Sequence, residues 1–315
     1  MLPKSIAAAC LAIMCGLLNG QDPQRRPFSA EVRSVVVYAT AYDGSGRLIT
    51  NLSKESFEVF DNGNRVEIAL FSAESVQITA ALMIDVSASM VGDFMVVRSA
   101  ALQFVSRLRA GDRMRVGTFA GEVALSPYLT ADPRILQRVI HEEVWPYTGP
   151  GTALWSGLRA GLRSLENEDG RRVLLALTDG VDSCPAVFYD RRASRPDELR
   201  VPTDSFSKQL CATRLDVEQQ ASRGEFMVYA VGMKGRLSSF LTDIVQATGG
   251  GYLELSRTDD LAAALDTVAE ELHHQYLIGF APGALDGKTH KLTVRSKMPN
   301  VVVRARRSYV ASAGR

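Results

Sequence analysis

The sequence has 315 residues, which is more than one ordinary domain requires and fewer than three would need. Its 46% apolar and 23% charged residues are typical of a globular protein and argue against a disordered chain. The formal net charge of +1 gives no electrostatic reason to expect binding to nucleic acid or to an acidic membrane surface.

The chain begins with the pattern of an export signal, which we predict over residues 1–20. Lys4 precedes an apolar stretch over residues 6–18, too short to span a bilayer comfortably. Leu18 and Gly20 make an imperfect cleavage site, so a retained anchor stays open as the second possibility. We expect no other apolar run to span a membrane. The protein is therefore predicted to be exported, to a periplasm, the extracellular space or the cell surface.

The next segment, residues 28–74, has the pattern of β-strands. Apolar residues alternate along the chain from Val35 to Ala41, as expected for a strand with one buried face. Asn62-Gly63 lies between two further strand-like runs. Asn-Gly is a strong hairpin signal because both residues tolerate positive φ, so we predict a hairpin there.

Residues 76–272 alternate between strand-like and helix-like patterns. Apolar runs suited to strands covered on both faces lie at residues 80–84, 114–119, 173–177, 226–231 and 252–255. Apolar residues at helical spacing lie at residues 94–108, 154–165, 237–245 and 261–272. This alternation predicts an α/β fold, a doubly wound and mostly parallel sheet. Ligands of such sheets bind at the carboxyl ends of the strands.

Five oxygen-bearing side chains are placed by this pattern at that edge. Asp85, Ser87 and Ser89 are spaced two apart directly after the first apolar run, and Asp179 follows another. Thr152 comes from a glycine-rich loop between them. Two carboxylates and three hydroxyls form an oxygen-only shell, which suits a hard cation such as Mg²⁺, with Mn²⁺ or Ca²⁺ as alternatives. Each fragment alone is a common turn or helix cap, so the prediction depends on their joint occurrence.

These residues resemble the metal-ion-dependent adhesion site of von Willebrand factor type A domains. The resemblance covers residues 76–272 and implies an open α/β sheet in a protein-binding module. It further implies that Ser87 and Ser89 bind the metal directly and Thr152 directly or through water, whereas Asp85 and Asp179 act largely through waters. An Asp or Glu carboxylate of a protein partner would take the open coordination position. The flanking strand patterns resemble those of bacterial exported proteins of this kind.

A long insertion follows Asp179, over residues 183–210, and shows little periodicity. Such a loop is usually functional, and its place beside the metal residues suggests that it selects a partner; a solvated loop without a role is the alternative. Cys184 and Cys211 bracket it and are the pair that remains once the export signal is removed. In an exported chain they favour a disulfide, with two buried thiols as the alternative.

After the last helical stretch the chain returns to strands over residues 275–311, and we predict them at residues 275–280, 288–297 and 301–309. Neither this segment nor residues 28–74 can bury a core alone. We therefore predict that the two pair into a small β-sandwich in which the α/β domain is inserted.

Two other functions stay open beside metal-dependent partner binding. The sandwich could bind the partner while the α/β domain is only structural. A metal-assisted hydrolase is the third possibility, although the sequence shows no general base near Asp85 and no serine-hydrolase, zinc-protease or phosphate-loop motif. We therefore expect a non-enzyme.

Overall fold

The structure, a computed structural model, describes residues 34–184, 187–189, 211–234 and 239–312. The predicted export signal lies outside these residues. So do most of the insertion after Asp179 and Leu237 at the start of one predicted helix.

A seven-stranded sheet forms the centre of the α/β region. Its strands are β5 (Ile78–Asp85), β6 (Arg113–Phe119), β7 (Glu122–Leu125), β8 (Arg171–Thr178), β9 (Val187–Tyr189), β10 (Met227–Gly232) and β11 (Tyr252–Glu254). The order across the sheet is β11-β10-β8-β5-β6-β7-β9, and only the pairing of β6 with β7 is antiparallel. The predicted mostly parallel α/β sheet is therefore confirmed.

Within the described residues, six α-helices cover this sheet: α1 (Phe94–Ser106), α2 (Pro133–Glu143), α3 (Leu154–Arg163), α4 (Arg214–Arg223), α5 (Ser239–Thr248) and α6 (Leu261–His273). Short 3₁₀ turns precede two of them, at Ala88–Asp93 and Thr258–Asp260, and a third lies at Lys54–Ser56. The sequence pattern did not predict α2 or α4. α4 buries only Val217 and Ala221, and its start is fixed instead by a capping box between Thr213 and Asp216.

The sheet has a separate apolar core on each face. Ala80, Leu82 and Ile84 of β5 face the core built with α1, α2 and α6. Ala81 and Met83 face the core built with α3, α4 and α5. Because alternate residues of a strand point to opposite faces, a continuous apolar run is what a strand buried on both sides requires.

Two antiparallel sheets enclose a third core and contain strands from both ends of the chain. The strands are β1 (Val35–Tyr42), β2 (Phe57–Asp61), β3 (Asn64–Val66), β4 (Ile68–Ser72), β12 (Tyr276–Phe280), β13 (Thr289–Ser296), β14 (Val302–Ala305) and β15 (Ser308–Val310). One sheet has the order β14-β1-β12-β4 and the other β15-β13-β2-β3. Phe57, Tyr276 and Phe280 lie in their shared core, and each sheet thus joins N-terminal to C-terminal strands.

The hairpin at Asn62-Gly63 is present, but its second arm is shorter than the sequence suggested. β2 pairs with β3 through Asp61 and Asn64, and both turn residues have positive φ, 49° and 85°. β4 then joins the other sheet, where it pairs with β12. The last predicted strand is divided in the same way, into β14 and β15, so both segments contribute to both sheets.

A buried arginine links the two parts where the chain passes between them. Arg171, at the start of β8, donates to the side-chain oxygen of Gln275 at 2.8 Å and to the carbonyl oxygens of Val76 at 3.2 Å and of Leu272. Its guanidinium also lies 5.2 Å from the ring of Tyr38 in β1. The side chain therefore satisfies backbone groups on both connections at once.

One described segment, Ala88–Val105, is long and apolar enough by length and composition alone to cross a membrane, contrary to the sequence expectation. It comprises the 3₁₀ turn before α1 and most of α1. Its buried side chains, among them Phe94, Val97 and Phe104, belong to the core on one face of the sheet. Their burial accounts for the apolar composition.

Candidate functional site

Backbone hydrogen bonds hold the loops together at the carboxyl edge of the sheet. The Val86 N–H, directly after β5, donates to the Phe119 carbonyl at the end of β6 (3.0 Å). The Val86 carbonyl accepts from the Tyr147 N–H (2.8 Å), and Ala153 donates to Ala120 (2.7 Å). The loops that carry the predicted metal residues are therefore fixed by the scaffold.

Asp85 is at the centre of the site and is almost completely buried. One carboxylate oxygen, Oδ1, accepts from the Ser87 N–H at 3.0 Å, and Oδ2 accepts from the Thr178 hydroxyl at 2.8 Å. The Oγ atoms of Ser87 and Ser89 are 3.1 Å apart. Ser87 is buried whereas Ser89 is exposed, so the group of oxygens opens to solvent on the side of Ser89.

Thr152 and Asp179 lie at the same edge and are also buried. Thr152 is joined to the loop after β8 by two hydrogen bonds with Ser183. Its N–H donates to the Ser183 hydroxyl at 3.0 Å, and its carbonyl accepts from the Ser183 N–H at 2.7 Å. Asp179, at the start of that loop, is close enough to Asp85 for its charge to raise the Asp85 pKa.

The electrostatics of the site favour a cation. Burial raises the pKa of Asp85 to about 6, against the hydrogen bonds from Ser87 and Thr178, and the charge of Asp179 adds to the increase. Among the described residues, no basic side chain forms an ion pair with either carboxylate. Two buried carboxylates surrounded by hydroxyl oxygens therefore fit a hard divalent ion, whose charge would offset their burial and mutual repulsion. No group of three or more His, Cys, Asp or Glu that could hold a metal occurs in the described part of the chain.

Two further contacts at the site were not anticipated from the sequence. Thr178 donates to Asp85 and also accepts from the Gly180 N–H at 2.9 Å. Lys234, after β10, donates through Nζ to the Ser89 carbonyl and lies 3.0 Å from a carboxylate oxygen of Asp93. Thr178 directly precedes Asp179, so the sequence could have indicated it as a residue of the site. Lys234 is 145 residues from Ser89, and no local pattern could have indicated it.

The disulfide predicted between Cys184 and Cys211 is present in the structure, with the two Cα atoms 6.1 Å apart. It closes the insertion at its base, directly beside the loop of Asp179. Within the insertion, the backbone of β9 pairs in parallel with β7 at the edge of the sheet. The sequence pattern indicated only a loop here, because the strand is short and its partner is distant in sequence.

Comparisons with known proteins identify the α/β region. Residues 80–181 match the family model of the von Willebrand factor type A domain, and all five predicted metal residues lie within this range, from Asp85 to Asp179. The matched residues therefore belong to a von Willebrand factor type A domain. No curated protein matches the sequence.

Several solved structures are similar at low sequence identity. Proximal thread matrix protein 1 from the mussel byssus is 15% identical, with a TM-score of 0.49; the match covers 76% of this chain and 50% of that one. A structure of the same mussel protein with a zinc-occupied metal-ion-dependent adhesion motif is 16% identical, covering 66% and 48%, with a TM-score of 0.46. An aerotolerance-related membrane protein from Bacteroides fragilis is 14% identical, covering 62% and 98%, with a TM-score of 0.45. The chain thus spans about half the length of the mussel protein.

Proposed function

We propose that this protein is an exported binding module that holds one divalent cation and captures a carboxylate of a protein partner. The observation that carries the proposal is the pair of buried carboxylates, Asp85 and Asp179, set among hydroxyl groups that open to solvent at Ser89. Ser87, Ser89 and Thr152 would supply neutral oxygens to the ion. Because these three ligands are neutral, a bound Mg²⁺ would keep much of its positive charge. It would also keep coordination positions for exchangeable ligands, such as the carboxylate of a partner.

Export is supported by the Cys184–Cys211 disulfide, because disulfides persist mainly in oxidising compartments. A binding role is favoured over hydrolysis by the positions of the buried histidines. His273 pairs with Asp112 and His290 with Asp61, both at 2.8 Å, and neither contacts Asp85. Neither histidine is therefore placed to act as a general base beside the cation.

The test is calorimetric titration of the folded protein with Mg²⁺ and with Mn²⁺. We expect one site in the wild type and none in Asp85→Ala. Because Asp85 is buried, Ser89→Ala serves as a second variant: it removes an exposed hydroxyl, should leave the fold intact and should weaken binding. Asp259→Ala, which removes an exposed carboxylate paired with Arg257, should bind as the wild type does. A wild type that binds neither ion would contradict the proposal.

The partner is sought in a native envelope fraction, by capture with Mg²⁺ and with chelator in parallel. Capture that survives chelation and persists in Asp85→Ala would instead favour binding through the β-sandwich.

A further inference from the structure

Exposed large apolar side chains are concentrated at the edge of the sheet that carries the candidate cation site. In the described part of the chain, six of the eleven lie there: Val91, Met95, Trp145, Val181, Leu215 and Phe240. Five of them belong to a loop that leaves the carboxyl end of a strand or to the first turn of a helix at that edge. Trp145 lies in the connection from α2 to α3, which meets the same edge where the Tyr147 N–H donates to the Val86 carbonyl. Single exposed apolar residues are ordinary, but a concentration around one site marks an interaction surface.

Three of these residues, Val91, Met95 and Trp145, are here called the Trp145 patch. Their exposed fractions are 50%, 64% and 55%. Val91 lines one small cavity together with Phe94 and Pro146, the chain neighbours of Met95 and Trp145. The Trp145 ring stacks on Phe94 with centroids 5.9 Å apart, and the Arg98 guanidinium lies 5.1 Å from the centre of the same ring. Phe94 and Arg98 therefore fix the position of the indole, while much of its surface stays exposed to solvent.

The Trp145 patch adjoins the turn that carries Ser87 and Ser89. Val91 belongs to the 3₁₀ turn that continues from Ser89. On the other side, the backbone two residues after Trp145 is fixed to that turn, because the Tyr147 N–H donates to the Val86 carbonyl at 2.8 Å. A ligand group at the cation would therefore have the patch as its neighbour.

We propose that the Trp145 patch is the second half of the ligand site, and that its occupant is a protein segment in which the captured carboxylate is flanked by a large apolar or aromatic side chain. This rests on the proposed function. The cation and the Arg98 guanidinium both favour an acidic segment. A carboxylate with only polar neighbours would leave Trp145 in water, whereas an apolar neighbour would bury it. Successive residues of an extended segment are about 3.3 Å apart, so the apolar residue lies within about two positions of the acid.

The probe is a phage-displayed library of random dodecapeptides, selected on the immobilised full-length protein in Mg²⁺ and eluted with chelator. We expect eluted peptides to carry Asp or Glu with Phe, Tyr, Trp, Leu, Ile or Met enriched within two positions. One such peptide is then synthesised and titrated against the wild type, Trp145→Ser and Met95→Ser. Trp145→Ser should weaken binding at least about tenfold, as expected for loss of a buried aromatic anchor.

Met298→Ser is the matched control, because Met298 is also exposed, at 47%, but lies in the β-sandwich. It should leave peptide binding unchanged. Mg²⁺ affinity, measured separately by calorimetry, should be equal in all variants because none of the substituted side chains carries a metal ligand.

The outcomes separate this inference from the proposed function. If the wild type binds no Mg²⁺, both fail. If it binds Mg²⁺ but the selected acids have random neighbours, or Trp145→Ser binds the peptide as tightly as the wild type, the inference is overturned and the cation site stands. If the wild type dimerises and Trp145→Ser makes it monomeric, the occupant is a second copy and the proposal is wrong.

Discussion

Replacing Asp112 by alanine tests whether burial decides how much a hydrogen-bonded carboxylate contributes to the stability of this fold. Asp112 is 2% exposed and connects three segments at the edge of the sheet opposite the candidate cation site. Its Oδ1 accepts from the Ile78 N–H at 3.0 Å, and its Oδ2 accepts from the Arg109 N–H at 2.8 Å. The same Oδ2 lies 2.8 Å from Nε2 of His273, whose side chain is 4% exposed.

The substitution leaves two backbone donors and the imidazole buried without their acceptor. Removing one member of a buried pair costs about 3–5 kcal/mol. Each buried group left without a partner costs about 1–3 kcal/mol, and these costs do not simply add. We therefore expect Asp112→Ala to lower the free energy of unfolding by about 3–5 kcal/mol. That is a large fraction of the total stability of a typical domain, about 5–15 kcal/mol.

The matched control is Asp266→Ala. Asp266 pairs with Arg107 at the same N···O distance, 2.8 Å, but the two side chains are 31% and 53% exposed. A surface pair of this kind contributes at most about 1 kcal/mol. The assay is urea unfolding followed by circular dichroism with the disulfide intact. Asp112→Asn, which retains an acceptor oxygen, provides a milder variant should the alanine variant fail to fold. Equal losses for Asp112→Ala and Asp266→Ala would refute the reasoning.

The same carboxylate gives a pH dependence. Burial alone would raise the pKa of Asp112, but the hydrogen bonds from His273 and from the Ile78 and Arg109 N–H groups lower it below 3.8. A carboxyl group whose pKa is lower in the folded state stabilises the fold above its unfolded pKa, and this contribution is lost as pH falls through the folded pKa. The stability difference between wild type and Asp112→Asn should therefore shrink under acid conditions, below pH 3.8.

Reducing the Cys184–Cys211 bond should lower the free energy of unfolding by about 3 kcal/mol, on the chain-entropy estimate for a loop of this length. Urea unfolding with and without reductant measures this loss. Two free thiols, found by mass spectrometry in protein from its native compartment, would refute the bridge. Ending the chain after Leu272 removes β12 to β15 and strips β1 of both neighbours, so light scattering should detect aggregation, whereas a monodisperse product would contradict the paired ends. Burial alone would lower the pKa of His290, but its contacts with Asp61 and Asp286 raise that pKa above 6.5. The stabilisation by His290 is then complete below about pH 6.5 and is lost as pH rises through the raised pKa, so His290→Gln should be more destabilising at about pH 5 than at about pH 9, and equal losses would contradict the pairing.

The sequence by itself determined the features that depend on local chemistry. The buried strands of the α/β sheet were visible because a strand covered on both faces must be apolar throughout, as β5 is. The turn at Asn62-Gly63 was visible because few residue pairs accept positive φ at both positions. Asp85, Ser87 and Ser89 were identifiable because a two-residue spacing after such a strand is a short-range pattern.

Tertiary structure alone decided the contacts that join distant parts of the chain. Lys234 reaches the Ser89 carbonyl, and Arg171 satisfies backbone groups on both connections to the β-sandwich. Neither basic residue is distinguishable in sequence from one on a solvated surface. Likewise, the division of the last predicted strand into β14 and β15 depends on which sheet each half meets. Such choices are set by the partners that folding brings together, because the free energy of a buried polar group depends on the atoms around it and not on its neighbours in the chain.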